Sequence, residues 1–257
     1  MERADMAPHQ PTKVIRHVRD REQREAGEFV REELTGEGVS TESLLCADGL
    51  ATSRSSVLVG PDGERTIVNH RDPRLFDNLP ALPEPFSYDA ALADTRWPRA
   101  AERILHAART AGRPAVLDAE MPIAPATGAL EAASHIAFSE QGLADWAGTA
   151  DQPSALARAA RRFGAWVCVT RGAAPVLVHD GVAPSEVPAF AVEAVDTLGA
   201  GDVWHGAFAL YLAEGLAPAV AVRHANGVAA LKTTAFGGRE ALPSRARLDR
   251  FLEENRS

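Results

Sequence analysis

Short apolar runs recur through the second half of the chain. They cover residues 115–118 (AVLD), 135–138 (HIAF), 166–170 (WVCVT) and 176–179 (VLVH). Helical stretches separate most of them, for example at Pro98–Thr110 and 153–163. Short buried strands that alternate with helices are typical of a parallel sheet with helices on both faces. The pattern therefore predicts an α/β fold.

Three further helical patterns close the chain, at 201–214, 218–232 and Arg245–Glu254. Gly215 is expected to end the first of these helices, because glycine readily adopts the left-handed conformation found after helices. Pro218 is expected in the first turn of the second helix, and Ser244 at the N-cap of the third.

The first part of the chain has a different pattern. Residues 1–26 are polar and charged, which predicts a poorly ordered or unrelated segment, and the folded domain is expected to span 27–257. A helical pattern begins at Gly27 and ends at Gly36 and Gly38.

A β-hairpin is predicted over residues 52–70. Two runs rich in β-branched residues flank Pro61, Asp62 and Gly63, where proline presets φ and glycine accepts a positive φ. The proline-rich stretch 73–85 is interpreted as a linker to the main body.

Composition limits the kinds of molecule that the protein is expected to bind. The chain of 257 residues has a net charge of −8 and no cluster of basic residues, so neither nucleic acid nor a membrane is an expected partner. Its two cysteines, Cys46 and Cys168, lack metal-site spacing, which fits a reducing cytoplasm. The only lysines are Lys13 and Lys232, and neither lies in a Walker A loop. If the protein binds ATP, backbone amides and arginine must hold the phosphates.

The stretch from Val195 to Gly206 (VDTLGAGDVWHG) carries the chemistry. A glycine-rich turn that leads into a helix exposes unpaired N–H groups at the positive end of the helix dipole, which suits an anion. Asp202 lies in that first turn, where it could accept a proton from an attacking hydroxyl. The short string GAGD alone is also compatible with a simple turn, whereas a dinucleotide-binding glycine motif is disfavoured because its third glycine would fall on Trp204.

The longer string resembles the second signature of the ribokinase-like (PfkB-type) carbohydrate kinases, DTxGAGDxxxGxF, including Gly206 and Phe208. The resemblance covers about residues 26–255. It implies a three-layer α/β/α domain with a nine-stranded type of body and a small hairpin lid at about 44–72. The lid could also form a homodimer interface.

The resemblance also implies roles for individual residues. Asp202 becomes the catalytic base, and the amides of Gly199, Ala200, Gly201 and Asp202 the anion hole. Asp196 and the Leu198 carbonyl fall where many members bind a monovalent cation such as potassium. Contacts to ATP are implied for Thr170, Gly172, Asn226, Gly237 and Gly238. Thr170 and Gly172 are also compatible with a plain strand exit, and Asn226 with a polar helix surface.

Two departures from the family pattern stand out. The NxxE motif, which organises magnesium, reads Ser139 for the asparagine and Gly142 for the glutamate, although Glu140 could compensate. The family's first strand, with its sugar-binding aspartate and Gly-Gly signature, has no counterpart before Gly27. We therefore expect N-terminal strands to be lacking, and we favour an incomplete gene product over a natural short form of the family.

Three functional hypotheses follow from the resemblance. The first is an ATP- and magnesium-dependent kinase for a ketose or an acidic ketose-like sugar, similar to ketohexokinase-like and sulfofructose-kinase-like members. Arg54 would contact the substrate, unless it belongs only to a solvated lid edge. The second is a nucleoside kinase, and the third a catalytically weak fragment that binds nucleotide or dimerises.

Two residues near the motif have open roles. His205 is interpreted as a packing or substrate-side residue rather than a catalyst. Asp118 ends a predicted strand, where it could belong to the site or cap a turn.

Overall fold

The computed structural model describes residues 21–47, 49–59, 65–82 and 86–256. They fall into two compact units, Met1–Glu84 and Pro85–Ser257. Most of the segment predicted to be poorly ordered, 1–26, lies outside the described residues. No helix within these ranges is long and apolar enough to cross a membrane.

The first unit contains a helix and the predicted hairpin. Helix α1 covers Arg21–Gly36, so it begins earlier than the predicted start at Gly27. Strands β1 (Arg54–Val59) and β2 (Arg65–His70) pair antiparallel, with Arg54 opposite His70. The predicted turn at 61–63 lies outside the described residues. A single turn of 3-10 helix, Pro73–Phe76, begins the stretch interpreted as a linker.

The second unit is built on a six-stranded sheet in which the strands follow chain order. The strands are β3 (Ala91–Asp94), β4 (Ala115–Ala119), β5 (His135–Ser139), β6 (Trp166–Arg171), β7 (Ala174–His179) and β8 (Pro184–Val187). The first four are parallel, as predicted, but β7 and β8 are antiparallel to their neighbours. Only Gly172 and Ala173 separate β6 from β7, too few for the crossover that a parallel pair requires.

Helices cover both faces of this sheet. They are α2 (Pro98–Thr110), α3 (Thr127–Ala132), α4 (Glu140–Ala147), α5 (Gln152–Phe163), α6 (Ala200–Ala213), α7 (Pro218–Thr233) and α8 (Arg245–Glu254). One apolar cluster joins α2, α3 and α5 to side chains such as Leu117, and a second joins α6 and α7 to side chains such as Val116. Because neighbouring strand residues point to opposite faces, the predicted three-layer α/β/α arrangement is confirmed.

The resemblance implied nine strands, whereas the described residues place six in this sheet and two in the hairpin.

The predicted helix ends are confirmed more closely. Gly215 has a φ of +85° directly after α6 and its C-cap. Pro218 opens α7, and the Ser244 side chain accepts the Arg247 N–H at 3.3 Å.

The start of α4 lies against the end of β4 with almost no space between the two backbones. The Ser139 hydroxyl caps α4 by accepting the Gly142 N–H at 3.0 Å. A Cβ atom added at Gly142 would lie 2.1 Å from the carbonyl oxygen of Ala119. The position at which the family pattern carries a glutamate therefore has no room for a side chain in this chain.

Replacing Gly142 by alanine should destabilise the second unit, because backbone atoms cannot rotate away as a side chain can. We expect Gly142→Ala to lower the free energy of unfolding by roughly 1–3 kcal/mol or more, measured by urea denaturation. Gly206→Ala is the matched control, since an added Cβ there meets no atom within 4 Å. Equal urea midpoints for the two variants would contradict the close approach.

Candidate active site

The loop before α6 ends in a conformation that leaves amide groups free. Gly199 is the N-cap residue, with a φ of +74°, and no side chain caps the helix. The N–H groups of Gly199, Gly201 and Asp202 have no acceptor among the residues described, while the Ala200 N–H donates to the Thr197 carbonyl at 3.3 Å. Unpaired amides at the positive end of a helix attract an anion.

Asp202 lies in the first turn of α6 and is exposed. A Cβ atom built on Gly199 would lie 3.8 Å from its Oδ2 atom, so the carboxylate reaches back over the turn. Asp202 forms no ion pair with a residue in the described ranges. A free carboxylate beside an anion site is suited to accept a proton from a group that attacks the bound anion.

Asp196 holds the loop together. Its Oδ1 atom accepts the Leu198 N–H at 2.9 Å, and its Oδ2 atom accepts the Gly237 N–H at 3.3 Å. The Leu198 amide, followed by the Gly237 amide and the Lys232 ammonium, lowers the pKa of Asp196 below its ordinary value. One carboxylate thus brings three residues of the predicted site together: Asp196, Leu198 and Gly237.

A buried lysine completes this cluster. The Nζ atom of Lys232 lies 3.2 Å from the carbonyl oxygen of Asp196 and 3.5 Å from its Oδ2 atom. The backbone N–H groups of Val195 and Asp196 both donate to the Thr233 carbonyl at the end of α7. Sequence reasoning missed this role of Lys232, because a contact between residues 36 positions apart leaves no local signal.

A buried Asp–His pair fixes the other side of the turn. The Nδ1 atom of His205 lies 2.8 Å from the Gly201 carbonyl, and its Nε2 atom lies 3.4 Å from Oδ1 of Asp118 at the end of β4. Neither Nε2 nor Oδ1 has a hydrogen-bond partner among the described residues, and the two atoms face each other. Because Nδ1 donates to a carbonyl, one further proton satisfies both remaining atoms. His205 is therefore buried between the Gly201 carbonyl and Asp118, which places Asp118 beside the first turn of α6.

Asp118 is the group that holds this proton, because its pKa is raised. Burial raises the pKa of Asp118 to about 7, and the carboxylates of Glu120, Asp94 and Asp202 raise it further, against the effect of Arg96. The carboxyl group of Asp118 therefore remains largely protonated until the pH approaches neutrality, and it can donate to His205. Burial lowers the pKa of His205, which favours the neutral imidazole that accepts this proton.

Two residues predicted to contact ATP lie at the end of β6 and directly after it. Thr170 lies opposite Ser139 of β5, with its Oγ1 atom 3.4 Å from the Phe138 carbonyl. Gly172 has a φ of +59° in the two-residue turn between β6 and β7. Both are located near the carboxyl ends of parallel strands, where α/β proteins commonly bind ligands.

Asn226 lies inside the protein rather than on a helix surface. Its Oδ1 atom accepts the indole N–H of Trp204 at 2.7 Å, and its Nδ2 atom donates to the Pro188 carbonyl at 2.9 Å. The first bond joins α7 to α6 and the second joins α7 to the residue after β8, so both use the amide group for structure. Gly238, the other predicted residue beside Gly237, precedes a short 3-10 helix at Arg239–Ala241.

The expected magnesium network is altered. Gly142 replaces the glutamate, and Glu140 is exposed and accepts a hydrogen bond from Gln152 at 2.9 Å. The described part of the chain contains no group of three or more His, Cys, Asp or Glu that could hold a metal ion. Arg54, the predicted substrate contact, lies exposed in the first unit, so its role stays a prediction.

Comparisons with known proteins agree with the motif. The sequence model of the pfkB family carbohydrate kinases matches residues 23–245. The ribokinase of Bacillus subtilis is 39% identical over 84 residues, which are 33% of this chain and 29% of the relative. The match thus spans less than a third of that curated relative.

Two solved structures show the extent of the similarity in fold. A protein from Agrobacterium tumefaciens, provisionally assigned as a ribokinase, is 33% identical with a TM-score of 0.87, over 94% of this chain and 80% of that one. A double mutant of the Vibrio cholerae O395 fructokinase, solved with fructose, ADP and potassium, is 24% identical with a TM-score of 0.74, over 93% and 84% of the two chains.

The raised pKa of Asp118 predicts a specific pH dependence of stability. Between about pH 4 and 7 the folded protein keeps a proton that the unfolded chain has released, so this group lowers the stability as the pH rises. Asp118→Asn should remove that loss and gain about 2–4 kcal/mol over the parent from pH 4 to pH 8. Urea denaturation across this range measures the difference. Asp249→Asn, at an exposed position, is the control, and an Asp118→Asn curve parallel to the parent curve would contradict the assignment.

Proposed function

The chain belongs to the PfkB family of carbohydrate kinases, and from that premise we propose that it transfers the γ-phosphoryl group of ATP to a hydroxyl group of a sugar. One observation carries the proposal: the exposed carboxylate of Asp202 lies beside amides that have no acceptor within the described structure. An anion site with a base next to it is what phosphoryl transfer to a hydroxyl needs.

The amides act on the phosphoryl group. The N–H groups of Gly199 and Gly201, with that of Asp202, would donate to the γ-phosphoryl oxygens as charge develops on them. The dipole of α6 adds to this attraction without any movement, because its peptide groups are already aligned. A positively charged side chain is not part of this turn, so the backbone carries the stabilisation.

Asp202 acts on the acceptor. Its carboxylate would take the proton of the sugar hydroxyl as the oxygen attacks phosphorus. The His205–Asp118 pair positions the turn by holding the Gly201 carbonyl, so that the amides and the base keep their relative geometry. Such preorganisation matters because a misplacement of ~1 Å can cost about 10²-fold in rate.

The nucleotide would lie against Gly237 and Gly238 after α7, and against Thr170 and Gly172 at the end of β6. Gly237, next to Gly238, is tied to the loop before the anion hole through the Asp196 carboxylate, and α7 is tied to α6 through Asn226 and Trp204. Thr170 and Gly172 would contribute at the end of β6. These contacts support an ATP site that needs no lysine loop.

Magnesium would enter as the MgATP complex, as part of the substrate. No side chain can occupy the Gly142 position to organise the ion, because Ala119 fills the space. The metal would supply charge neutralisation between the phosphates. The same observation favours a second candidate function, nucleotide binding with only slow transfer.

The acceptor is a sugar, and within that class we propose a ketose or an acidic ketose-like sugar. The support is the similarity of the lid sequence and of residues 135–143 to ketohexokinase-like and sulfofructose-kinase-like members. Ribose is the main competitor, since the relatives named above include ribokinases. An assay of ADP release over ribose, fructose, sulfofructose and nucleosides separates these acceptors. ATP binding without ADP release for any acceptor would favour the second candidate function.

Asp202→Asn should abolish transfer and spare ATP binding. Asparagine keeps the shape of aspartate but cannot take the proton, and loss of a general base typically lowers the rate by ~10²–10⁴. A coupled assay of ADP formation measures kcat, and calorimetry measures ATP affinity. Asp249→Asn on α8 is the control and should behave like the parent. An Asp202→Asn protein that keeps most of its kcat would refute the role.

A further inference from the structure

Lys232 places a full positive charge inside the protein, under the loop that leads to the anion hole. Its side chain is 1% exposed, and it is one of two lysines in a chain with 27 lysine and arginine residues. Burying an ammonium group is unfavourable unless opposite charge and hydrogen-bond acceptors surround it. Its position therefore has to be explained by what surrounds it.

Among the described residues, the polar contacts of the ammonium are with oxygen atoms. The ammonium meets the carbonyl oxygen and the carboxylate of Asp196. The carbonyl of Thr233, at the negative end of the α7 dipole, lies next in sequence and binds the amides of Val195 and Asp196. The carbonyl oxygen and the carboxylate of Asp196 both face the ammonium, so Lys232 offsets the negative charge that the loop gathers at this point.

A lysine is the residue that best imitates a small ion. Its ammonium is a compact point charge on a flexible stem, whereas the planar guanidinium of arginine requires a fork of acceptors. All other basic residues in the second unit are arginine, apart from histidine. The exception occurs at a position where a point charge meets a carbonyl and a carboxylate of the same residue.

We propose that the ammonium of Lys232 takes the place of the monovalent cation that the family resemblance implies at Asp196 and Leu198, so that this chain holds its anion-hole loop without potassium. A second cation bound to the same Asp196 oxygens would lie close to the ammonium, and like charges at such a distance repel. The Vibrio cholerae O395 fructokinase double mutant, by contrast, was solved in a potassium-bound form. The proposal rests on the proposed function only for the role of the loop in binding phosphate.

The test compares two variants in two salts. Lys232→Met keeps most of the stem and removes the charge, which leaves no space for an ion. Lys232→Ala removes the stem as well, so a potassium or ammonium ion can reach the Asp196 oxygens, which are partly exposed. Each protein is examined in potassium chloride and in tetramethylammonium chloride of equal ionic strength, by thermal unfolding and by calorimetric titration with ADP.

For the parent protein, we expect the same Tm and the same ADP affinity in both salts. Both variants should lose roughly 5–15 °C in Tm in tetramethylammonium, as expected when one partner of a buried pair is removed. Potassium should restore Lys232→Ala but not Lys232→Met. It should also tighten ADP binding by Lys232→Ala by roughly five- to a hundredfold, the ordinary range of coupling between two sites.

Two results would overturn the proposal. The first is a parent protein whose Tm or ADP affinity rises in potassium, and the second is a Lys232→Ala protein that no monovalent cation restores. If a variant fails to fold, the comparison of salts on the parent protein still decides the question. Thermal unfolding uses neither nucleotide nor sugar, so the comparison of Tm values in the two salts tests the role of Lys232 even if the kinase proposal fails. If the Tm values follow the expected pattern but ADP does not bind, the result counts against the kinase proposal alone.

Discussion

The first turn of α6 has to keep its amides unpaired while a carboxylate lies beside them, and the rest of the site restrains that turn. His205 and Asp118 hold the Gly201 carbonyl from the sheet side. Asp196, with Lys232 behind it, fixes the loop before the turn. A helix end that satisfied its own N–H groups with a capping side chain would be more stable, but it could not bind an anion.

This arrangement places polar groups where they lower stability. Asp118 carries a raised pKa because it is buried among other carboxylates, and Lys232 is an ammonium inside the protein. Both are tolerated because each has one partner at the right place and because apolar clusters on the two faces of the sheet hold the surrounding elements. Groups of this kind are common at functional sites, where the chemistry requires them.

Local signals made part of this structure predictable. The motif from Asp196 to Phe208, the hairpin, α2 and the cap residues Gly215 and Ser244 follow from short patterns, and the family model agrees with the motif. Strands β3 and β8 were missed because each has only four residues, and β8 begins with proline and is largely exposed. The antiparallel direction of β7 could have been derived from the two-residue connection.

The remaining features depend on contacts between distant residues. Gly142 matches no motif, yet its packing against Ala119 excludes the expected glutamate. In the sequence, Lys232 showed only that a Walker A lysine is lacking. Asn226 was compatible with a helix surface or with a contact to ATP, and its bonds to Trp204 and Pro188 depend on the fold.

The most direct test of the central claim is an NMR titration of the backbone amides with MgADP and aluminium fluoride, which imitates the transferring phosphoryl group. The account predicts the largest shifts at the N–H groups of Gly199, Gly201 and Asp202, and little change at Gly215 beyond the other end of α6. Unchanged resonances at those three amides in the presence of bound nucleotide would contradict it.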